Sequence, residues 1–189
     1  MLALRPRTFV SLANAAGLKP FETKALKERA PKDHESKIIQ SLKEMYSCQP
    51  TENTFDIYAR DAVFHDPIGI AEGLDSVRAQ FIGLKKIFPR ADIPKFRVLE
   101  APASVPTNVI LIDQDVAYYR DPQKSPTKTV NSLLTLETND AHQVTRHTEE
   151  WDHSKTTSAD DGFLGMLNEQ RKKLTASLTN MVVGKDAKE

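Results

Sequence analysis

The sequence predicts an α+β fold, a curved antiparallel sheet with three helices packed on its concave face and a further helix at the C-terminus. Two patterns lead to this expectation. Apolar residues recur at helical spacing from Asp33 to Phe88, whereas alternation of period two dominates from Phe96 to Asp152. Length is the third observation. The 189 residues suit one domain of about 150 residues with extensions. The expected division is an N-terminal extension at 1–32, a domain at 33–153, and a C-terminal helix and tail at 154–189.

Each element has its own signal. Asp33 is the expected N-cap of a first helix whose inner side carries Ile38, Ile39, Leu42, Met45 and Tyr46. Pro50 and Thr51 start a short helix bearing Phe55 and Tyr58. Ala62 to Asp66 reads as a short strand ended by Pro67 and Gly69. Asp75 opens a third helix with Val77, Phe81, Leu84 and Phe88 inward, and Pro89 stops it because proline has no N–H for the helix ladder. Strands follow at Phe96–Leu99, at Val109–Tyr119 with a bend near Asp113 to Asp115, at Thr129–Glu137 and at Val144–Asp152. Asn139 and Asp140 supply the turn between the last two. Asp160 or Asp161 is expected to cap a final helix to about Val182, with Phe163, Leu167, Leu174, Leu178 and Met181 as its apolar stripe. That stripe should dock on the domain or on a second copy of the chain, so a homodimer is one expected arrangement.

Composition excludes several classes. Lys plus Arg and Asp plus Glu both number 26, which argues against a general nucleic-acid binder, since such proteins need clustered positive charge. Cys48 is the only cysteine, so an intramolecular disulfide is excluded, a buried structural thiol is expected, and an intracellular, cytoplasmic setting is favoured. The acid-poor start, with Arg5, Arg7 and Lys19 before the first acidic residue Glu22, leaves a mitochondrial transit peptide as the alternative to a loosely docked tail. The longest aliphatic run, Val109 to Ile112, is far short of the ~18 residues that span a membrane. Arg171, Lys172 and Lys173 read as a solvated helix face. The sequence has no Gly-rich phosphate loop, nucleophile elbow or paired-cysteine motif.

The chemistry gathers on two strands. Asp66 stands at a strand tip beside an aromatic helix face, where apolar surroundings would raise its pKa and make it a better base. On the last strand His147, Glu149 and Trp151 share one side, with the make-up of a pocket wall. Arg146, Thr148, Glu150 and Asp152 share the other, which reads as wetted. On the preceding strand Val130, Ser132, Leu134 and Leu136 should face the helices. The candidate catalytic residues are Asp66, His147 and Glu149; the candidate substrate-binding residues are Trp151, Phe64, Ser132, Leu134 and Phe81. Duller roles stand beside these. Asp66 before Pro67 also suits a turn cap, and His147 and Glu149 could satisfy each other. Tyr118 and Tyr119 point to opposite faces, so at most one reaches the pocket. His147 and Glu149 fit two metal ligands on one strand face, but a third must come from elsewhere, so neither a metal nor a cofactor is assigned.

The run Tyr58-Ala59-Arg60-Asp61-Ala62, continuing through Phe64-His65-Asp66-Pro67-Ile68-Gly69, resembles a segment of the ketosteroid isomerase and SnoaL-like polyketide cyclase group, within the nuclear transport factor 2-like (NTF2-like) superfamily. The resemblance spans about Asp33 to His153 and implies that superfamily's cone-shaped α+β fold. It implies that Asp66 is the catalytic base, that Trp151 is the pocket tryptophan, and that His147 and Glu149 line the pocket. It also places Leu42 and Ser132 where the isomerases keep their two enolate-binding donors. Leucine cannot donate, which argues against steroid isomerisation by that route; Tyr46, one helical turn on, is the substitute donor. An Asp66–His147 pair is more similar to the dehydratase and cyclase branches. The expected function is binding of a small hydrophobic molecule in an apolar pocket, with cofactor-free acid–base chemistry of isomerase, cyclase or dehydratase type. In that scheme Asp66 takes the proton, His147 returns it or steadies the oxyanion, Glu149 orients His147, and Trp151 packs on the substrate. A drug-sized ligand would need a pocket of about 300 Å³. The alternatives are a non-catalytic binding module and an interaction module that uses the outer sheet face or the C-terminal helix.

Overall fold

The computed structural model describes residues 13–156, 162–169 and 172. The element order is α1 (Pro20–Ala25), a 3-10 turn (Asp33–Glu35), α2 (Ser36–Tyr46), a 3-10 helix (Glu52–Ile57), β1 (Tyr58–Asp66), β2 (Gly69–Glu72), α3 (Leu74–Ile87), β3 (Arg90–Val98), β4 (Val109–Tyr119), β5 (Lys128–Thr138) and β6 (Val144–Trp151). The architecture is α+β, with one six-stranded sheet in the order β2-β1-β6-β5-β4-β3. The sheet is mixed rather than antiparallel, because β1 runs parallel to β6. β3 to β6 form an antiparallel meander whose last strand closes back onto β1.

Local chemistry explains the departures from the expected boundaries. Asp66 and Gly69 pair across a two-residue turn, so Pro67 turns the chain into a hairpin with β2. Tyr58 begins β1 rather than ending a helix, and the register against β6 shifts between Tyr58 and Val63. β4 pairs without a break. The irregularity expected there lies on β3 between Asp92 and Lys95, where Pro94 cannot donate to the ladder. α2 starts after Glu35 rather than at an Asp33 cap; the Glu35 carboxylate is buried and takes two 2.7 Å hydrogen bonds from Arg29. α3 is capped by Gly73 at φ +82°, a left-handed backbone that favours glycine.

The inner face of the sheet packs on α2, α3 and the Glu52–Ile57 helix through Leu42, Met45, Phe55, Val77, Phe81, Ile112, Leu134 and Leu136. The outer face is covered as well. Leu99, Leu111 and Leu133 are buried there beneath Ala16, Leu18 and Leu26 of the N-terminal arm. Lys27 and Arg29 hydrogen-bond to Glu100 and Val98 at the end of β3. Thr148 and Glu150, expected on a wetted face, are therefore buried. Glu150 accepts the Ala15 N–H at 2.8 Å.

A buried polar clasp holds this arm. His153 Nε2 lies 3.0 Å from Asp113 Oδ1 and its Nδ1 lies 2.9 Å from Thr23 Oγ1. Thr23 also accepts from Asn14 Nδ2 at 3.3 Å. Burial pushes the Asp113 carboxyl up, but hydrogen bonds from His153, Lys95 and Asn131 outweigh it and hold the group well below the usual carboxylate range. The arm is thus docked from residue 13 onward; the Arg5 and Arg7 segment lies outside the described residues. So does most of the expected final helix. Residues 162–169 are helical, and of the basic triplet only Lys172 is described, helical and exposed. Among the described residues no helix is long and apolar enough to cross a membrane.

The clasp makes a direct prediction. Thr23→Val keeps the side-chain shape but leaves His153 and Asn14 without that partner, at a cost on the order of 1–3 kcal/mol. Amide exchange should rise across residues 13–29 while the amides of β4 and β5 stay protected.

Candidate functional site

β6 carries the site on its inner face, and the ladder fixes what lies beside each residue. Leu136 pairs with His147, Leu134 with Glu149, and Ser132 with Trp151. On the other edge Phe64 of β1 pairs with His147. Helical spacing on α2 turns Tyr46 onto this row, and α3 adds Phe81.

Glu149 is buried at the centre. Its Oε2 accepts from Tyr46 Oη at 2.9 Å and its Oε1 from Trp151 Nε1 at 3.2 Å. The Ser132 hydroxyl is a third partner, itself supported by Gln114 Nε2 at 3.4 Å. Burial and the neighbouring Asp66 charge push the Glu149 carboxyl up to about 7, against the pull of those three donors.

His147 lies behind this layer, with no solvent exposure. Its Nδ1 is 2.7 Å from Tyr58 Oη and its Nε2 is 3.3 Å from Tyr46 Oη. Phe64 and Phe81 pack on the ring at centroid distances of 4.9 and 6.2 Å. Burial pushes the imidazole down to about 3, so it is neutral at physiological pH.

Asp66 does two things at once. Its Oδ1 accepts the N–H groups of Ile68 and Gly69 at 2.9 Å, which shapes the hairpin turn, and the residue also lines the cavity. That cavity is bounded by Tyr46, Phe64, Asp66, Phe81, Glu149 and Trp151, with Ile68, Leu84 and Tyr118 around them. Its volume is ≈ 60 Å³, room for about two waters. This falls short of a drug-sized pocket, and the C-terminal segment contributes to the small size. Phe163 and Leu167 of the C-terminal helical segment form part of the wall. Phe163 packs 5.7 Å from the Phe88 ring, 5.7 Å from Trp151 and 5.9 Å from Tyr118.

The structure therefore brings Asp66, Glu149, Trp151, Phe64 and Phe81 around one space. It sets His147, Ser132 and Leu134 behind it: Leu134 is fully buried core, and Ser132 reaches the space only through Glu149. Tyr118 is the member of its pair that reaches the cavity. Cys48 is buried, and burial pushes its thiol up to about 12, as befits a structural residue. Among the described residues no three His, Cys, Asp or Glu side chains are placed to hold a metal. Sequence reasoning missed Tyr58 and Phe163. Alternation on β1 does not reach Tyr58, because the pattern breaks between it and Ala62, where Arg60 of the same parity is exposed.

No protein-family model and no curated protein matches the chain. Solved structures do. A steroid delta-isomerase from Pseudomonas aeruginosa superposes with a TM-score of 0.52 at 10% identity, covering 81% of this chain and 98% of that one. An NTF2-like protein from Anabaena variabilis gives 0.52 at 10% identity, covering 65% and 93%. A proposed SnoaL-like polyketide cyclase from Jannaschia sp. CCS1 gives 0.50 at 15% identity, covering 67% and 91%. The chain has the NTF2-like fold that ketosteroid isomerase-like and SnoaL-like proteins share.

Two predictions follow from this geometry. The folded Glu149 carboxyl binds its proton more tightly than an unfolded one, so the stability this confers is present below about pH 4.5 and is lost as pH rises through about 7. Glu149→Gln mimics the neutral form. It should match the wild type in urea denaturation at pH 4 and exceed it at pH 8 by on the order of 3 kcal/mol. Separately, Phe163→Ala combined with Leu167→Ala should enlarge the cavity and increase binding of an apolar fluorescent dye several-fold.

Proposed function

We propose that the protein binds a small, mostly apolar carbonyl compound against Glu149 and exchanges a proton with it, without a cofactor. The observation that supports this best is a buried carboxyl, near neutral pKa, forming the polar wall of an otherwise apolar cavity. A general base works best when its pKa lies near the operating pH, and burial places Glu149 there. Trp151 and Phe81 supply flat apolar walls for the substrate. Asp66 keeps a second carboxylate close by, and its charge makes Glu149 a stronger base. On this reading Glu149 takes the role that the family resemblance implies for Asp66, and His147 acts from behind rather than on the substrate.

The test is solvent-deuterium exchange into small cyclic ketones, followed by proton NMR. Wild type should accelerate exchange, with a rate that rises with pH and levels off above about 7. Glu149→Gln should lower it by at least ~100-fold. Asp66→Asn retains the turn-capping oxygen and removes a charge, so it should move the midpoint to lower pH. Exchange unaffected by Glu149→Gln would remove that residue from the mechanism. Ketone binding with no exchange would favour the second reading, a non-catalytic binding module, to which Leu42 at the expected donor position points.

A further inference from the structure

Tyr58 and His147 touch no substrate in this scheme, yet both are buried and both belong to a continuous chain of polar atoms. From the inside outward, Met45 Sδ lies 3.8 Å from Tyr58 Oη, and Tyr58 Oη lies 2.7 Å from His147 Nδ1. The ring continues the chain from Nε2 to Tyr46 Oη at 3.3 Å, and Tyr46 reaches Glu149 Oε2 at 2.9 Å. A neutral imidazole has one N–H and one free lone pair, and a phenol has one hydrogen to donate. The direction of one link therefore fixes the direction of all the others.

Two self-consistent arrangements exist. With Glu149 as a carboxylate, Tyr46 donates to Oε2, the ring donates from Nε2–H to Tyr46, and Tyr58 donates to Nδ1. With Glu149 as the acid, Oε2–H donates to Tyr46, Tyr46 donates to Nε2, Nδ1–H donates to Tyr58, and Tyr58 turns to the Met45 thioether. The soft acceptor at the inner end makes the second arrangement complete.

We propose that Tyr58, His147 and Tyr46 form a reversible hydrogen-bond relay whose polarity inverts, with a change of the His147 tautomer, each time Glu149 gains or loses its proton. The proposal deepens the function above and rests on Glu149 being the group that titrates. Protons balance: the carboxylate form shares three hydrogens among Tyr58, His147 and Tyr46, and the acid form shares four with Glu149. The added proton comes from substrate or solvent at the cavity. The ring changes tautomer by exchanging its hydrogen with water during local opening, because no shift along the closed chain carries hydrogen from Nε2 to Nδ1 without leaving Tyr58 as a phenolate. The titratable groups facing Glu149 are Tyr46 from α2, Asp66 from β1 and Tyr118 from β4; those facing His147 are Tyr46 and Tyr58. Phe64 and Phe81 seal the ring, leaving it no solvent partner to replace a lost link. His147 and Tyr58 are thus positioning residues, which keep both forms of Glu149 fully bonded. The depressed imidazole pKa agrees with a ring that stays neutral and responds by tautomer rather than by charge.

The test is NMR of the labelled full-length chain from pH 5 to 9. Nitrogen-15 shifts report which ring nitrogen of His147 bears hydrogen, and the carbon-13 shift of the Glu149 carboxyl reports its titration. The expected result is Nδ1–H below the Glu149 midpoint and Nε2–H above it, with one midpoint for both. In Tyr46→Phe, Nε2 loses its partner, so His147 should stay as the Nδ1–H tautomer at every pH. A single tautomer in wild type while Glu149 titrates would overturn the relay, as would inversion that persists in Tyr46→Phe. Absence of any Glu149 titration in this range would overturn both the relay and the proposed reaction. The measurement needs no substrate, so inversion without ketone exchange supports the relay and refutes only the reaction; exchange without inversion does the reverse.

Discussion

Glu149 is an acid that water barely reaches, and its removal from solvent sets the terms for everything around it. An ionised carboxylate costs several kcal/mol to bury unless donors replace its lost hydration. Here those donors come from different parts of the chain: Tyr46 from α2, Ser132 from β5 and Trp151 from β6 itself. They do not replace hydration in full, and the shortfall is what brings the group near neutrality. Too many donors would make Glu149 a weak base; too few would leave it permanently protonated.

Sheet register is what holds this balance. Side chains alternate between faces with a period of two, so a slip of one residue on β6 would turn His147, Glu149 and Trp151 away from α2 and bring Thr148 and Glu150 in. The buried row on β5 and the docked arm on the opposite face both oppose such a slip. Glu150 is tied to Ala15, and the Thr23–His153–Asp113 clasp sits on the side of the sheet away from the cavity. The arm therefore helps position the site although none of its residues enters it. It also covers outer-face surface that an interaction module would need, which weakens the case for a partner bound across the middle of the sheet.

How much was legible follows from the range of each signal. Period-two alternation on β5 and β6 spans whole strands, so the face shared by His147, Glu149 and Trp151 can be read without coordinates. The same holds for the helical spacing of Ile38 to Tyr46 and of Val77 to Phe88. Tyr58 could not be placed that way because β1 shifts register between Tyr58 and Val63. The β2 hairpin was hidden because Pro67 and Gly69 signal a stop as well as a turn. The docked arm was hidden for another reason. Ala15, Ala16 and Leu18 show no period, and their partners lie far away in sequence, Glu150 being 135 positions from Ala15. The ranking of Asp66 and Glu149 needed burial, which alternation alone does not supply: one acid is tied to a turn, the other is enclosed.

The position of Tyr46 narrows the chemistry that this bowl of side chains suits. Leu42 stands where the resemblance implies an enolate-binding phenol, and Tyr46 lies one turn further along the same helix. Its hydroxyl, however, is engaged by Glu149 and His147 rather than turned wholly toward the cavity. A donor committed to the base stabilises the resting carboxylate and gives less to a developing oxyanion. On the proposed reading, the barrier then depends more on the intrinsic acidity of the substrate's C–H bond than on stabilisation of the enolate. Small substrates with a C–H already acidified by a carbonyl and a second electron-withdrawing group suit this limitation. A steroid skeleton does not fit the ≈ 60 Å³ cavity that Phe163 and Leu167 help to line.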